Sequence, residues 1–178
     1  MPAKIDPALM AKLARVKLFL SDVDGILTDA TVWIGSQGEA KCFYVLDGLA
    51  LKLLRREGIK VGWISGRPSP ATARRARELE VDFLHQSREN KVAIIENILS
   101  QTGLAWDDVC YMGDDIVDLG SLRRAGVAVS VPHGVPEAKA LADYVTRAEG
   151  GHGAVREIVQ LILQAQNKWD RLVQDYLA

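Results

Sequence analysis

Leu18-Phe19-Leu20-Ser21-Asp22-Val23-Asp24-Gly25-Ile26-Leu27-Thr28-Asp29 is the stretch whose reading decides the fold. The run Val16 to Leu20 is short and apolar and gives way at once to polar residues, which is the pattern of a strand buried on both faces. Two carboxylates spaced two residues apart, Asp22 and Asp24, point the same way if the strand continues. Held close together they repel, and each is pushed toward its protonated form. A bound divalent cation removes that penalty, and hard carboxylate oxygens suit Mg²⁺. The plainer alternative is that both aspartates merely cap the turn that follows the strand.

Working outward, the chain alternates apolar runs with helix-like stretches. Asp6-Pro7 opens a short helix to about Ala14, as a cap followed by proline at the first helical position. Ala30 to Ile34 and Lys41 to Val45, separated by Gly35-Ser36-Gln37-Gly38, read as a hairpin over about 30–45. Helices are expected at Leu49 to Glu57, Pro70 to Glu80, Asn90 to Gln101, Ile116 to Ala125 and Pro136 to Ala142. Strands are expected at Ile59 to Ile64, Val81 to Leu84, Val109 to Met112, Val127 to Val129 and Tyr144-Val145. Val155, Ile158, Val159, Ile162, Trp169, Leu172, Val173 and Tyr176 trace one face of a single tail helix over about 154–177, behind glycines 150, 151 and 153 that suggest a hinge. Strands alternating with helices imply an α/β, doubly wound, mainly parallel sheet. We expect residues 1–178 to form a single domain.

Lys plus Arg number 22 and Asp plus Glu 23, for a net charge of −1, so nothing in the charge balance favours nucleic acid as partner. No apolar run approaches the ~18 residues of a membrane span. The charged N-terminal stretch lacks the apolar region of a secretory leader, and Cys42 and Cys110 make no disulfide framework, so a cytoplasmic protein is expected.

In a sheet of this kind, ligands sit beyond the carboxyl ends of the strands. Three further strand ends carry chemistry. Ser65 follows Val61 to Ile64 and offers a hydroxyl to a phosphate oxygen; Lys91 opens the helix after Ser87 to Asn90 and offers a point charge. Asp114 and Asp115 follow Cys110 to Gly113 and repeat the acidic metal-ligand chemistry.

The combination Asp22-Val23-Asp24-Gly25, Ile64-Ser65-Gly66, Lys91 and Gly113-Asp114-Asp115 resembles the haloacid dehalogenase superfamily of aspartate-nucleophile phosphatases. That resemblance implies Asp22 as nucleophile, Asp24 as acid and base, and Ser65 and Lys91 as phosphoryl holders. It also implies Mg²⁺ on Asp22, Asp114 and the Asp24 backbone carbonyl. Only about 18 residues, Ala30 to Asp47, follow the first motif, and 25 separate Ser65 from Lys91, so no cap domain fits.

A capless site is open unless a neighbouring subunit covers it, and a homo-oligomer is expected, with Trp33, Phe43 and Tyr44 either at its interface or in the protomer's own core. Asp22–Asp29, Phe43–Gly48, Ile64–Arg67, Asn90-Lys91, Met112–Asp115, Ala142–Arg147 and Gly150–Glu157 are together similar to the 3-deoxy-D-manno-octulosonate 8-phosphate phosphatases. Those are tetramers that hydrolyse a phosphorylated 2-keto sugar acid for lipopolysaccharide synthesis. The resemblance places Tyr44, Val45, Leu46, Asp47, Gly48, Lys52, Arg67, Arg75 and Asp115, with Asp24 and Lys91, around the substrate. Guanidinium suits a substrate carboxylate, although the run Arg74-Arg75-Ala76-Arg77 also reads as a solvated helix face. Leu46 and His152 stand where that group usually carries Arg. A nine-carbon keto-sugar acid phosphate, or another sugar phosphate, is the alternative substrate.

A phospho-acceptor receiver module also combines acidic residues, Mg²⁺, a hydroxyl and a lysine. Its acidic pair lies on the first strand and its phosphorylated aspartate on a middle one, whereas Ser65 ends the middle strand here.

Overall fold

The computed structural model describes residues 5–36 and 38–177. Along the chain run α1 (Pro7–Leu13), β1 (Leu18–Ser21), β2 (Trp33–Gly35), β3 (Gly38–Ala40), α2 (Val45–Arg56), β4 (Lys60–Ser65), α3 (Pro70–Glu78) and β5 (Phe83–Gln86). There follow α4 (Lys91–Thr102), β6 (Val109–Met112), α5 (Leu119–Leu122), β7 (Val127–Ser130), α6 (Pro136–Leu141), β8 (Tyr144–Val145), α7 (Ala154–Ala165) and α8 (Trp169–Asp175). Six strands pair in the order β5-β4-β1-β6-β7-β8, every pair parallel, and β2 with β3 forms a separate antiparallel hairpin.

Alternation along each strand divides its side chains between two helical layers. Phe19, Val61, Trp63, Cys110 and Met112 face α1, α2, α7 and α8. Leu18, Leu20, Ile64 and Tyr111 face α4 and Ala138 of α6. The chain winds outward from β1 to β4 and β5, then crosses back to β6, β7 and β8. Strand order therefore reverses at β1, and its carboxyl end opens into the crevice such sheets use for ligands. Among the described residues, only the hairpin interrupts the alternation, and no cap domain is inserted.

Three boundaries differ from expectation. The hairpin pairs Trp33 with Ala40 and Gly35 with Gly38, so Lys41 to Val45 is not its second arm. Instead α2 starts at Val45, one turn before the expected Leu49, because Asp47 and Gly48 are buried by tertiary packing that overrides the β preference of Phe43 to Val45. Ile116 to Ala125 is a 3₁₀ turn at Ile116–Asp118 followed by the short α5. The tail is two helices, α7 and α8, broken at Asn167, whose φ of 56° is left-handed and suits asparagine. Lys168 closes the break by donating its N–H to the Leu163 carbonyl and its Nζ to that of Glu57. Leu172 is thereby returned to the core.

Candidate active site

Asp22 extends β1 by donating its N–H to the Met112 carbonyl at 3.0 Å. The chain then turns tightly, Ile26, Leu27 and Thr28 all donating to the Val23 carbonyl. Gly25, at φ +92°, sits where an added Cβ would lie 2.0 Å from an Asp114 carboxylate oxygen, so the residue between the two motifs has to be glycine for them to meet. One Asp22 oxygen accepts the Val23 N–H at 2.6 Å, and the other lies 2.9 Å from Lys91 Nζ.

Ser65 ends β4, which flanks β1; its buried Oγ accepts the Arg67 N–H and donates to the Arg67 carbonyl, both at 3.1 Å. Lys91 is the first residue of α4, behind an Asn90 cap that accepts the Val92 N–H. Asp114 follows β6 on the other side of β1. Strand geometry thus gathers Asp22, Ser65, Lys91 and Asp114 at one end of three adjacent strands and the helix that follows the fourth.

Sequence reasoning missed Asp118. This carboxylate is fully buried, and each of its oxygens accepts two hydrogen bonds. Oδ1 receives Lys91 Nζ at 2.7 Å and Tyr111 Oη at 2.6 Å; Oδ2 receives the N–H groups of Asp114 and Asp115 at 3.2 and 3.3 Å. Burial opposes the charge on Lys91, but Asp22 and Asp118 outweigh it and raise the ammonium's pKa above its usual range. The only sequence signal was an aspartate four residues after Asp114, at a site with helical periodicity.

Asp22, Asp114 and Asp118 place carboxylate oxygens within 4.8 Å of one another. Burial, then the neighbouring charges of Asp22 and Asp118, pushes Asp114 up to about 7. Burial likewise pushes Asp22 up to about 6, with Lys91 opposing and Asp118 adding to the rise. Asp114 Oδ1 is buried without a hydrogen-bond partner. Each Asp118 oxygen takes two donors, each Asp22 oxygen only one and Asp114 Oδ1 none, so Asp22 and Asp114 keep the lone pairs that a divalent cation fits, and an oxygen-only set suits Mg²⁺.

The residues expected around a substrate are more scattered. Asp24 lies half-buried beside Asp22 and pairs with Lys41. Tyr44, Val45 and Leu46 are exposed at the start of α2. Asp47 is buried and caps α7, accepting the N–H groups of Arg156 at 2.7 Å and Gly153 at 3.3 Å; burial raises it to about 6. Gly48 leaves room for the Arg75 guanidinium, which pairs with Glu78 at 3.0 Å. Arg67 pairs with Glu39 of the hairpin at 2.6 Å. Lys52 borders a shallow depression with Arg55, Arg56, Glu78 and Glu80, and the carboxylate of exposed Asp115 accepts the Ile116 N–H.

Phe43 stacks on Trp63 within the protomer, at 6.2 Å, while Trp33 and Ile34 are 69% and 81% exposed. Beside Lys91 opens a groove of about 780 Å³ lined by Gly66, Arg88, Ile116, Val117 and Arg124, of which the two arginines were not foreseen.

Gly150 and Gly151 before α7 serve close approach rather than a hinge, and Gly153 supplies a left-handed φ of +106°. A Cβ on Gly150 would lie 1.8 Å from the Gly25 carbonyl oxygen and one on Gly151 2.5 Å from Thr28, and Gly151 donates its N–H to the Ile26 carbonyl. His133 pins the same loop, one ring nitrogen 3.0 Å from the Gly25 carbonyl and the other 2.6 Å from Glu149.

A family model described as haloacid dehalogenase-like hydrolase matches residues 83–158. The 3-deoxy-D-manno-octulosonate 8-phosphate phosphatase of Escherichia coli K12 is 36% identical over 163 residues, 91% of this chain and 87% of the relative. That of Salmonella typhimurium is 35% identical over 167 residues, 93% of this chain and 89% of the relative. The Moraxella catarrhalis enzyme of the same name, solved with magnesium, phosphate and KDO, superposes with a TM-score of 0.92 at 40% identity, covering 94% and 97% of the two chains. The cobalt-bound Haemophilus influenzae protein gives 0.89 at 35% identity, covering 94% and 99%. With the motif residues gathered on a capless doubly wound sheet, the chain belongs to the haloacid dehalogenase-like hydrolases, in the family of the 3-deoxy-D-manno-octulosonate 8-phosphate phosphatases.

Proposed function

We propose that this chain, acting as a single phosphatase domain, hydrolyses 3-deoxy-D-manno-octulosonate 8-phosphate with Mg²⁺, and so serves lipopolysaccharide synthesis. The observation that carries the reading is the convergence of Asp22, Lys91 and Asp114 at the switch point of the sheet. An Asp22 oxygen attacks phosphorus, giving an aspartyl-phosphate as the ester oxygen departs. Asp24 protonates that oxygen, then takes a proton from the water that cleaves the intermediate, which splits one difficult displacement into two. Lys91 and Ser65 hold the non-bridging oxygens, so that positioning and charge neutralisation supply most of the catalysis. Asp22, Asp114 and the Asp24 carbonyl would hold Mg²⁺, which supplies positive charge against the phosphoryl oxygens.

Arg67, whose ion pair with Glu39 leaves guanidinium N–H groups free, suits the substrate carboxylate, with Tyr44, Val45, Leu46 and Asp115 at the rim. Lys52, Gly48 and Arg75 contribute from the α2–α3 side, and Asp47 acts through the cap it makes. The exposed Trp33 and Ile34 of a capless protomer fit a homotetramer in which neighbours cover each other's sites. Among the described residues no helix is long and apolar enough to cross a membrane, and we place the enzyme in the cytoplasm.

The test is Mg²⁺-dependent phosphate release from the eight-carbon acid phosphate, a nine-carbon keto-sugar acid phosphate and p-nitrophenyl phosphate. The eight-carbon ester should lead in kcat/KM, and Asp22→Asn should abolish turnover of all three. Equal rates on all three esters would refute the substrate; turnover by Asp22→Asn would refute the chemistry.

A further inference from the structure

The hairpin presents its apolar side chains to solvent, yet the lysine just after it is sequestered completely. Lys41 follows β3, and its side chain is 0% exposed. Its Nζ donates to Asp24 Oδ2 at 2.9 Å and lies 2.7 Å from Oδ1. Withdrawing an ammonium from water is expensive unless a charged partner answers it. A lysine with no duty at the site would reach out and keep its head in solvent. Two positions earlier, Glu39 grips Arg67, just past Ser65, so the outgoing arm of the hairpin is fastened on both sides of the pocket.

We propose that Lys41 is a positioning residue: its buried ammonium fixes the Asp24 carboxylate in the orientation that both proton transfers need, and ties that orientation to the seating of the hairpin. The inference rests on the reading of Asp24 as acid and base. Both half-reactions depend on Asp24, but unequally for different esters. With an alkyl ester, the Asp22 oxygen bonds to phosphorus, the bond to the ester oxygen breaks, and that oxygen takes the Asp24 proton. With p-nitrophenyl phosphate the electron pair leaves on p-nitrophenolate, which needs no proton, and Asp24 gives its proton to solvent before the second step. In the second step, for either ester, water bonds to phosphorus, the bond to Asp22 breaks and the water proton passes to Asp24.

Rapid-quench kinetics of full-length Lys41→Met and Lys41→Arg with Mg²⁺ and labelled esters test this. A positioned acid or base contributes ~10²–10⁴-fold, so losing its orientation should lower kcat of Lys41→Met by about 10- to 100-fold without raising KM. On p-nitrophenyl phosphate the variant should release a burst of p-nitrophenolate and accumulate labelled aspartyl-phosphate above the wild-type level. On an alkyl ester, whose first step is slowed as well, it should not. Lys41→Arg should recover part of kcat. An unaltered kcat, a rise in KM alone, or an equal fall on both esters with no phosphoenzyme would overturn the inference. If Lys41→Met fails to fold by circular dichroism, Lys41→Arg decides on the same criteria. Asp22→Asn run alongside separates the failures: turnover by that variant defeats the reading of the site, whereas its inactivity beside a normal Lys41→Met defeats only the role of Lys41.

Discussion

Replacing Asp118 by Asn changes almost no volume and inverts one hydrogen-bonding group in a place where the carboxylate accepts four hydrogen bonds. Lys91 Nζ and Tyr111 Oη reach one oxygen, and the Asp114 and Asp115 N–H groups reach the other. Turned toward the backbone, the amide NH₂ leaves the two N–H groups without an acceptor; turned toward the side chains, it meets a Tyr111 hydroxyl that can accept from it and a Lys91 left with Asp22 alone. A buried polar group left unpaired costs roughly 1–3 kcal/mol, and the better of the two orientations costs about that much. Set against this, losing the Asp118 charge relieves repulsion on Asp22 and Asp114, both of which it pushes upward. Below the values of about 6 and about 7 to which those groups are raised, they are already taking up protons and little repulsion remains to relieve. The destabilisation should therefore be larger on the acid side. For a chain this size 1 kcal/mol moves Tm by about 2–4 °C, which puts the loss on the order of 5 °C. Thermal unfolding by circular dichroism in metal-free buffer measures it, and phosphate release should fall with it as Lys91 loses one of its two anchors. A Tm within about 2 °C of wild type, with full activity, would refute the claim that this carboxylate holds the site together.

Proton and metal compete for the same cluster. Because Asp22 and Asp114 are raised to about 6 and about 7 from the ordinary value of 3.8, the native state binds more protons than the unfolded chain across that interval. Stability of the metal-free protein should accordingly fall as pH climbs from about 4 to about 7, and the Mg²⁺-induced rise in Tm should grow over the same range; a Mg²⁺ shift independent of pH would contradict this. Asp47→Ala removes the cap on α7 and should cost about 1–2 kcal/mol in urea unfolding while Mg²⁺-dependent hydrolysis of p-nitrophenyl phosphate persists.

What could be read from the sequence was whatever chemistry is local. Each strand of the six-stranded sheet announced itself as an apolar run, Asp22, Ser65 and Asp114 stood at or just past run ends, where a parallel sheet puts its ligands, and Lys91 opened the helix after another. What could not be read depends on partners remote in the chain. Asp118 gains its meaning from Lys91, 27 residues away, and Lys41 from Asp24, across the hairpin. Asp47 caps a helix 106 and 109 residues downstream while sitting in a segment that looks fit to touch substrate. The tail misled for a different reason: the apolar spacing runs through the break, and a single left-handed residue, Asn167, turns one apparent helix into two without disturbing the pattern.

Leu46 and His152, the two positions where the resemblance leads one to expect arginine, are not independent. Leu46 lies in the first turn of α2, next to Asp47, and His152 lies in the glycine segment whose end, Gly153, Asp47 holds. The rings of Tyr44 and His152 approach to 6.4 Å, and Gly150 and Gly151 of that segment press on Gly25 and Thr28. Segments 44–48, 150–153 and 25–28 therefore form one packed corner, and both positions lie in it. The phosphoryl-transfer cluster lies on the other side of the catalytic loop and keeps its full set of charges through Lys91, Asp118 and Asp114. Leucine and histidine in this corner leave the machinery that any phosphate ester needs intact and bear only on the field met by the rest of the substrate. Arg67, held by Glu39, is then the guanidinium proposed for the sugar acid's carboxylate, with Arg88 and Arg124 lining the groove beside Lys91.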